Sequence, residues 1–551
     1  MTIINQYLSY VEKYTLIYGE KTLVLMQVGS FFECYALIGR DGEYYGSKIK
    51  DFADINEMAI SKKNICVGGK SVVMAGFGLA QLEKYVKRLQ DHGYTIVVFT
   101  QDTQTKNTTR SLSCIYSPGT FFSNETALDD SQLSNNTTCI WIHYSAKNSA
   151  VREMVSIGIS NIDIYTGRSS LNEFSNEYYH NPTTYDELER FISIYKPNET
   201  IIISNLSRDK IDNIIQFTNI QSNLVHIIEI NNSENRNELY QEAINCERQI
   251  YQREILDKFF KNRGIVDTDN SVLDNYFNYS IANQSYCFLL EFVYRHNPNL
   301  VKNIQQPYIE NVEDRLVLAN HSLKQLNIIS DSRYSGKLSS VSTLLNNCVT
   351  TMGKRRFNRI LLNPITNKES LNKTYMITEY FLGKKMWDNI RSHLTNIKDF
   401  EKIKRKLVMN KITPRDFNNL YQNLSVLQDV DKQLSKDKVF QKYIKDFAKT
   451  EFGASSKKIT DFIDCNFDIE KCKAIDDLTS DRLGNYAIEN LVFIKRGISA
   501  QLDERTQKCI DSRSVLEAIK NWLSTCIEEY ERSSRANKTN EFIKIHETPK
   551  S

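Results

Sequence analysis

Leu23-Val24-Leu25-Met26-Gln27-Val28, followed by Gly29-Ser30-Phe31-Phe32-Glu33, is the stretch on which the reading turns. The first six residues predict a strand. Beyond the glycine, alternation sends Phe31 and Glu33 to one face and Phe32 to the other. Two readings of these three residues stand side by side. In one, both phenylalanines are core and Glu33 is a surface carboxylate. In the other, an aromatic wedge stands beside a hydrogen-bonding carboxylate. An aromatic ring can enter the minor groove, unstack a base step and kink the duplex. That costs least where pairing is already broken. A carboxylate repels phosphate, so it makes sense there only if it meets a base edge after the step has opened.

Working outward, an amphipathic helix is expected over Met1–Gly19, with Ile4, Tyr7, Leu8, Val11 and Tyr14 on one face. A second helix is expected from Leu79 to Gln90, stopped at His92-Gly93, and a short buried strand at Thr95–Phe99. Ser117-Pro118-Gly119-Thr120 reads as a turn. Past a polar stretch, Cys139–Ile142 and Val155–Ile159 look like adjacent strands. A helix near Tyr185–Tyr195 leads to the strand Thr200–Ile203, which suggests a second α/β domain ending near Phe260. From about Asn270 the periodicity turns helical, with helices expected around Val341–Leu361, Glu369–Gly383, Asp416–Leu434 and Leu502–Tyr530. In the last, Cys509, Leu516, Ile519, Leu523, Cys526 and Tyr530 form a narrow seam suited to one other helix. Phe542–Ile545 reads as a strand. The fold class is therefore multidomain α/β plus all-α: two small mixed α/β domains, then a helical core/lever region and a partial clamp.

Composition narrows the function classes. With 551 residues, 70 Lys+Arg and 67 Asp+Glu, the net charge of +3 is too balanced for nucleic-acid or membrane binding by bulk charge. Binding must come from local patches or shape. No apolar run approaches the ~18–20 residues of a membrane span, and no signal or transit peptide is visible, so a soluble, intracellular protein is expected. The 11 cysteines, with no C-x-x-C pair, read as reduced thiols, mostly core fillers. Richness in Asn, Lys, Ile and Tyr suggests an AT-rich source, such as a viral or organellar system.

Catalytic motifs are scarce. Gly68-Gly69-Lys70-Ser71 looks like half of a phosphate-binding loop, but the required earlier glycine is Asn64, and Val72-Val73-Met74 reads as strand. A simple turn is expected there. No H-E-x-x-H, zinc-spaced Cys/His cluster or G-x-S-x-G turn occurs. No catalytic residue and no metal site are expected.

At Met26–Glu33 the chain resembles the mismatch-recognition motif of the MutS family, a Gly and an acidic or small residue before Phe-x-Glu. Met74-Ala75-Gly76-Phe77 is similar to the family's M-A-G segment, and Tyr116–Thr120 to its T-P-G-T. Asp163–Gly167 resembles the S-T-G turn of the connector domain. Leu344–Arg355 resembles the core signature L-L-D-x-T-x-T-x-M-G-x-R, continued by Leu361–Ile365. Asp399–Lys402, Pro414–Phe417, Arg496–Ile498 and Leu502–Glu504 follow in family order, so the likeness covers nearly the whole chain. Ser30 stands where the family usually has an acidic residue, and Phe32 where it has Tyr. The family's C-terminal ATPase domain has no counterpart in this sequence.

The resemblance implies a mismatch-recognition domain over 1–125, a connector over 126–265, a helical core/lever over 266–495 and a lever helix with partial clamp over 496–551. It implies that Phe31 stacks on a mispaired or unpaired base, worth roughly 1–3 kcal/mol, while Glu33 accepts a hydrogen bond from that base. Lys48, Lys50, Lys62, Lys63 and Lys70 are candidates for nearby phosphate contacts, against a reading as solvated surface lysines. Arg532, Arg535, Lys538 and Lys544, with Lys550, make a basic tip suited to backbone contact. The implied partner is double-stranded DNA with mismatches or small loops. ATP and Mg would belong to the ATPase domain, so no cofactor is expected here. A dimer is expected on completion, with a second polypeptide as one source of the ATPase domain. The alternatives are a noncatalytic helical scaffold, a decayed remnant, or one half of a split protein.

Overall fold

The computed structural model describes residues 3–102, 109–123, 133–145, 153–177, 182–231, 237–260, 276–310, 315–316, 320–329, 336–447, 452–476, 491–533 and 543–545. They divide into two compact units. The first holds 1–371 and 404–409, the second 372–403 and 410–551.

The first unit opens with helix α1 (Ile3–Tyr18), then strands β1 (Thr22–Val28), β2 (Phe31–Ile38) and β3 (Tyr44–Tyr45), helix α2 (Ile49–Asn56), strands β4 (Ser61–Val67) and β5 (Lys70–Gly78), helix α3 (Leu82–Asp91), and strands β6 (Thr95–Gln101) and β7 (Arg110–Tyr116). The strands form a seven-stranded sheet in the order β4-β5-β2-β1-β6-β7, with β3 beside β2. Among the described residues of this sheet, only β1 and β6 pair in parallel. Alternation along β2 places its residues. Phe32 packs against Phe77, which lies against Phe52 of α2 and Tyr85 of α3. Met26 is paired with both Glu33 and Phe99, so these share the opposite face, and Tyr10 of α1 stacks on Phe99 at 4.1 Å. Tyr7 of α1 meets Tyr35 edge-on at 5.3 Å. Gly68-Gly69, both at positive φ, join Val67 to Lys70 as a two-residue hairpin turn.

A second sheet follows: β8 (Asn136–Ser145), β9 (Met154–Asp163), β10 (Arg168–Glu177), β11 (Glu199–Ser204), β12 (Leu224–Glu229) and β13 (Tyr308–Ile309), in the order β12-β11-β8-β9-β10-β13. Helices α4 (Asp186–Tyr195), α5 (Arg208–Phe217), α6 (Glu238–Cys246), α7 (Gln249–Phe260) and α8 (Ser280–His296) accompany it. Leu188, Phe191, Ile211 and Ile214 bury one side of the sheet. Helix α8 crosses β8 and β9 and is buried almost all round, as an apolar helix inside a core must be. Glu173 caps it, accepting from the Ile281 and Ala282 N–H groups at 2.9 Å each.

The two sheets meet at a buried polar cluster. Glu199 of β11 accepts from the Ser117 hydroxyl, from the Gly119 N–H at 3.0 Å and from His226 Nε2 at 2.8 Å. Burial alone would raise this carboxyl; His226 and Ser117 hold it below its ordinary value. His296 of α8 lies nearby, edge-on to Tyr18, with Nδ1 bonded to the Phe292 carbonyl at 2.8 Å and Nε2 without a partner among the described residues. Burial pushes its pKa down to about 4, against an opposing pull from Glu199.

Within the first unit the region expected as one helix over Val341–Leu361 is two, Val341–Leu345 and Thr351–Leu362. The break is chemical: the Thr350 side chain accepts from the Gly353 N–H and starts a new helix. Asn346 donates to Asn358 at 3.0 Å and ties the two together. In the second unit, Pro414–Leu434 begins with a Thr413/Asp416 capping box and packs with Phe452–Asn466 and Ile469–Asp476. Phe417 stacks on Phe467 at 4.4 Å. The unit also holds the 34-residue helix Ala500–Ser533, about 51 Å long. Before it, the Gly497 N–H donates to Asp503 at 2.8 Å. Residues 543–545 are irregular where a strand was expected. None of the eleven cysteines is in a disulfide, but only five are buried, so core filling explains fewer than half. Among the described residues, no helix is long and apolar enough to cross a membrane.

Candidate nucleic-acid interface

The turn Gly29-Ser30 joins β1 to β2 with Val28 paired to Phe31. Gly29 has φ +60°, the left-handed conformation required at the first position of a tight hairpin turn of this hand. The Gln27 side chain braces it, donating to the Gly29 carbonyl at 3.1 Å and accepting from the Gln101 N–H at 3.0 Å. Arg110 donates to the Gln27 carbonyl at 2.8 Å. Phe31 thus stands at the tip of a braced hairpin and is 54% exposed, while Phe32 is 4% exposed. A sequence reading that buries both rings is therefore half wrong: the first ring has no layer above it and the second fills the core.

Glu33 departs from the simple surface reading too. It is only 6% exposed. Its neighbour across the ladder is Gly76, where a Cβ would lie 2.5 Å from the Phe32 carbonyl oxygen and 3.2 Å from Glu33 Cγ. Only a glycine leaves room for the glutamate to lie across β5. Its Oε2 accepts from the Tyr35 hydroxyl in a short bond and from Lys63 Nζ at 2.8 Å. Lys63 also sits 4.7 Å from the centre of the Tyr35 ring. The Tyr35 hydroxyl is pushed well above its ordinary range, by burial and then by the Glu33 carboxylate, so it stays a donor.

The five lysines have different fates. Lys63 comes to Glu33. Lys62, its neighbour on β4, is exposed. Lys70 lies beside Ser71, which pairs with Ile38, seven residues and roughly 23 Å along the ladder from Phe31. There its Nζ sits 3.4 Å from the Tyr45 ring centre. Lys48 pairs with Glu20 at 3.2 Å, and Lys50 is an exposed residue of α2. At the other end of the chain, Arg532 lies in the last turn of the long helix, 3.9 Å from Glu528, and Lys544 is exposed. Arg535 and Lys538 lie outside the described residues. Sequence reasoning missed Tyr35, Gln27 and the part played by Gly76. The period-two spacing from Glu33 could have found Tyr35. Nothing local points to Lys63 as the partner of Glu33, because β4 lies thirty residues on and beyond β5 in the sheet.

A braced hairpin carrying an exposed ring beside a buried carboxylate thus lies on a mixed sheet, which a second α/β sheet and a helical region follow along the chain: the class is a multidomain α/β plus all-α protein. Comparison with known families agrees: the model for MutS domain I matches residues 2–125 and that for MutS domain III matches 321–538. The chain belongs to the MutS family of DNA mismatch repair proteins. It is 26% identical to a putative DNA mismatch repair protein mutS homolog of Acanthamoeba polyphaga mimivirus, over 96% of this chain and 47% of the relative. It is 25% identical to the mitochondrial DNA mismatch repair protein mutS homolog of Sarcophyton glaucum, over 73% and 43% respectively. With the DNA mismatch repair protein MutS of Petrotoga mobilis it shares 21% identity, over 91% and 51%. The chain spans about half the length of the curated relatives it matches.

Proposed function

We propose that these residues bind duplex DNA at mispaired or unpaired bases, as the recognition part of a MutS-type mismatch repair protein. The observation that carries the reading is Phe31, an exposed ring on a rigid hairpin tip with Glu33 on the same face. Phe31 enters the duplex and stacks on the disturbed base, which opens more cheaply than a matched step. Glu33 accepts a hydrogen bond from the exposed base edge. Lys48, Lys50, Lys62 and Lys70 supply backbone contacts, as does the basic tip from Arg532 onward through Arg535, Lys538 and Lys544. ATP binding and hydrolysis belong to a further domain of the assembled protein, which acts as a dimer inside the cell. The AT-rich composition and the viral and mitochondrial relatives support a viral or organellar setting.

The test is binding of labelled heteroduplex and homoduplex by wild type and Phe31→Ala, read by anisotropy. Heteroduplex preference is expected to fall by roughly 5- to 150-fold, the value of one stacked base. Equal preference in the two proteins sinks the reading. A second reading is favoured by the exposed seam of Leu516, Ile519, Leu523 and Tyr530. In it, a helix of a second polypeptide packs there and brings the ATPase domain.

A further inference from the structure

A carboxylate beside a DNA-facing ring poses an electrostatic problem, and the sheet contains an answer to it. Glu33 is nearly buried, yet its charge lies two residues from a ring meant for the base stack. A negative group there opposes every approaching phosphate, matched or mismatched. Lys63 Nζ stands 2.8 Å from Glu33 Oε2, and the Lys63 side chain is 29% exposed against 8% for Glu33, so the cation's side chain is the more solvent-accessible member of the pair. Its Cα belongs to the irregular part of β4, where the pairing with β5 shifts between Lys62 and Cys66. Both in-chain donors, Tyr35 and Lys63, use the same oxygen. Among the described residues no hydrogen bond reaches Oε1.

Building on the reading above, we propose that Lys63 is a positioning residue for recognition. It cancels the Glu33 charge as the duplex approaches and, with Tyr35, ties down Oε2 so that Oε1 is the oxygen offered to the base. Lys63 thus acts through Glu33 and makes no independent phosphate contact. Tyr35 cannot replace it, because a neutral hydroxyl orients the carboxylate without removing its charge. The arrangement lets one site hold an acceptor strong enough to select an opened base and still admit a polyanion.

A double-mutant cycle on the 551-residue chain tests this, using wild type, Lys63→Met, Glu33→Gln and the double variant against homoduplex and single-base-bulge DNA. Lys63→Met is expected to weaken binding to both duplexes by roughly tenfold, since it leaves Glu33 uncompensated. In the Glu33→Gln background the same change is expected to cost less than about twofold, because there is no charge left to cancel. Lys63→Arg is expected to restore wild-type affinity. Circular dichroism and thermal melts of each variant separate lost binding from lost folding. If Lys63→Met alone misfolds, the double variant, which has no uncompensated charge, remains informative beside Glu33→Gln. Equal losses in both backgrounds would make Lys63 an ordinary phosphate contact and overturn the proposal. So would a Lys63→Met protein that binds like wild type. If wild type prefers the bulge and the cycle is additive, only this proposal fails. If wild type binds no duplex, the recognition reading fails and takes this one with it.

Discussion

The first sheet and the long helix Ala500–Ser533 treat apolar residues in opposite ways. In the sheet, Leu23, Leu25, Met26, Phe32 and Phe77 are all covered, and Phe31, at a hairpin tip, is more exposed than Ile65, Leu112 and Tyr45, the other large side chains its strands leave open. On the helix, Val515, Leu516, Ile519, Trp522, Leu523 and Tyr530 are all exposed. The sheet has helices on its faces, so a phenylalanine left more than half exposed at a hairpin tip is an exception that asks for a ligand. The helix holds its shape through its own hydrogen bonds and pairs such as Lys508–Glu504, and its apolar seam asks for a neighbour. Exposure therefore carries different information in the two places. In the sheet it marks separate residues, Phe31 most strongly; on the helix it marks a whole face.

The contrast can be broken by substitution, and the largest effect is expected in the sheet. Phe32→Ala should cost about 3–5 kcal/mol of stability, since the ring is packed on Phe77. Phe31→Ala should change stability by no more than about 0.5 kcal/mol. Urea unfolding of the two variants measures the difference, and similar losses would show that the two rings are not divided between core and tip.

The next effect belongs to the buried cluster where the two sheets meet. His296 has an ordinary pKa of 6.5 and a folded value of about 4, set by burial, with Glu199 pulling it up and His226 and Arg295 pushing it down. The unfolded chain takes up a proton on this ring near pH 6.5 while the folded chain resists until about pH 4. Stability is thus full above pH 6.5 and falls as the pH drops toward 4, by up to about 3 kcal/mol. His296→Gln should flatten the stability profile across that window. A profile as steep as wild type would remove His296 from the account. The exposed pairs of the long helix offer no comparable lever, because solvent already screens them.

The smallest effect is expected on the seam. Ile519→Ser should shift the stability of the chain by less than about 0.5 kcal/mol, because the side chain is 47% exposed. The same change should weaken capture of a helix-bearing partner polypeptide measured with the purified pair. A large intrinsic loss of stability would mean that the seam is packed within this chain.

Much of the site was legible in one dimension. The strand before Gly29, the alternation through Phe31-Phe32-Glu33 and the turn at Ser117–Thr120 follow from local rules, and the structure keeps them. The helix expected over Val341–Leu361 failed locally for a local reason: a threonine cap outweighed the run of helical spacing. What stayed hidden was pairing at a distance. The Glu33–Lys63 contact, the seat of the Ser117–Thr120 turn on Glu199, and the docking of α8 across β8 and β9 join residues 30 to 146 positions apart.

The sequence by itself determined the family, the order of the α/β and helical regions, and the pair of residues on which recognition is proposed to rest. These are written in spacing, which the backbone reads residue by residue. Only the tertiary structure decided which phenylalanine is exposed, that Glu33 is buried and paired with Lys63, and that the lysines around it do not share one task. Burial and charge compensation are sums over neighbours from other strands, and a linear pattern does not contain them.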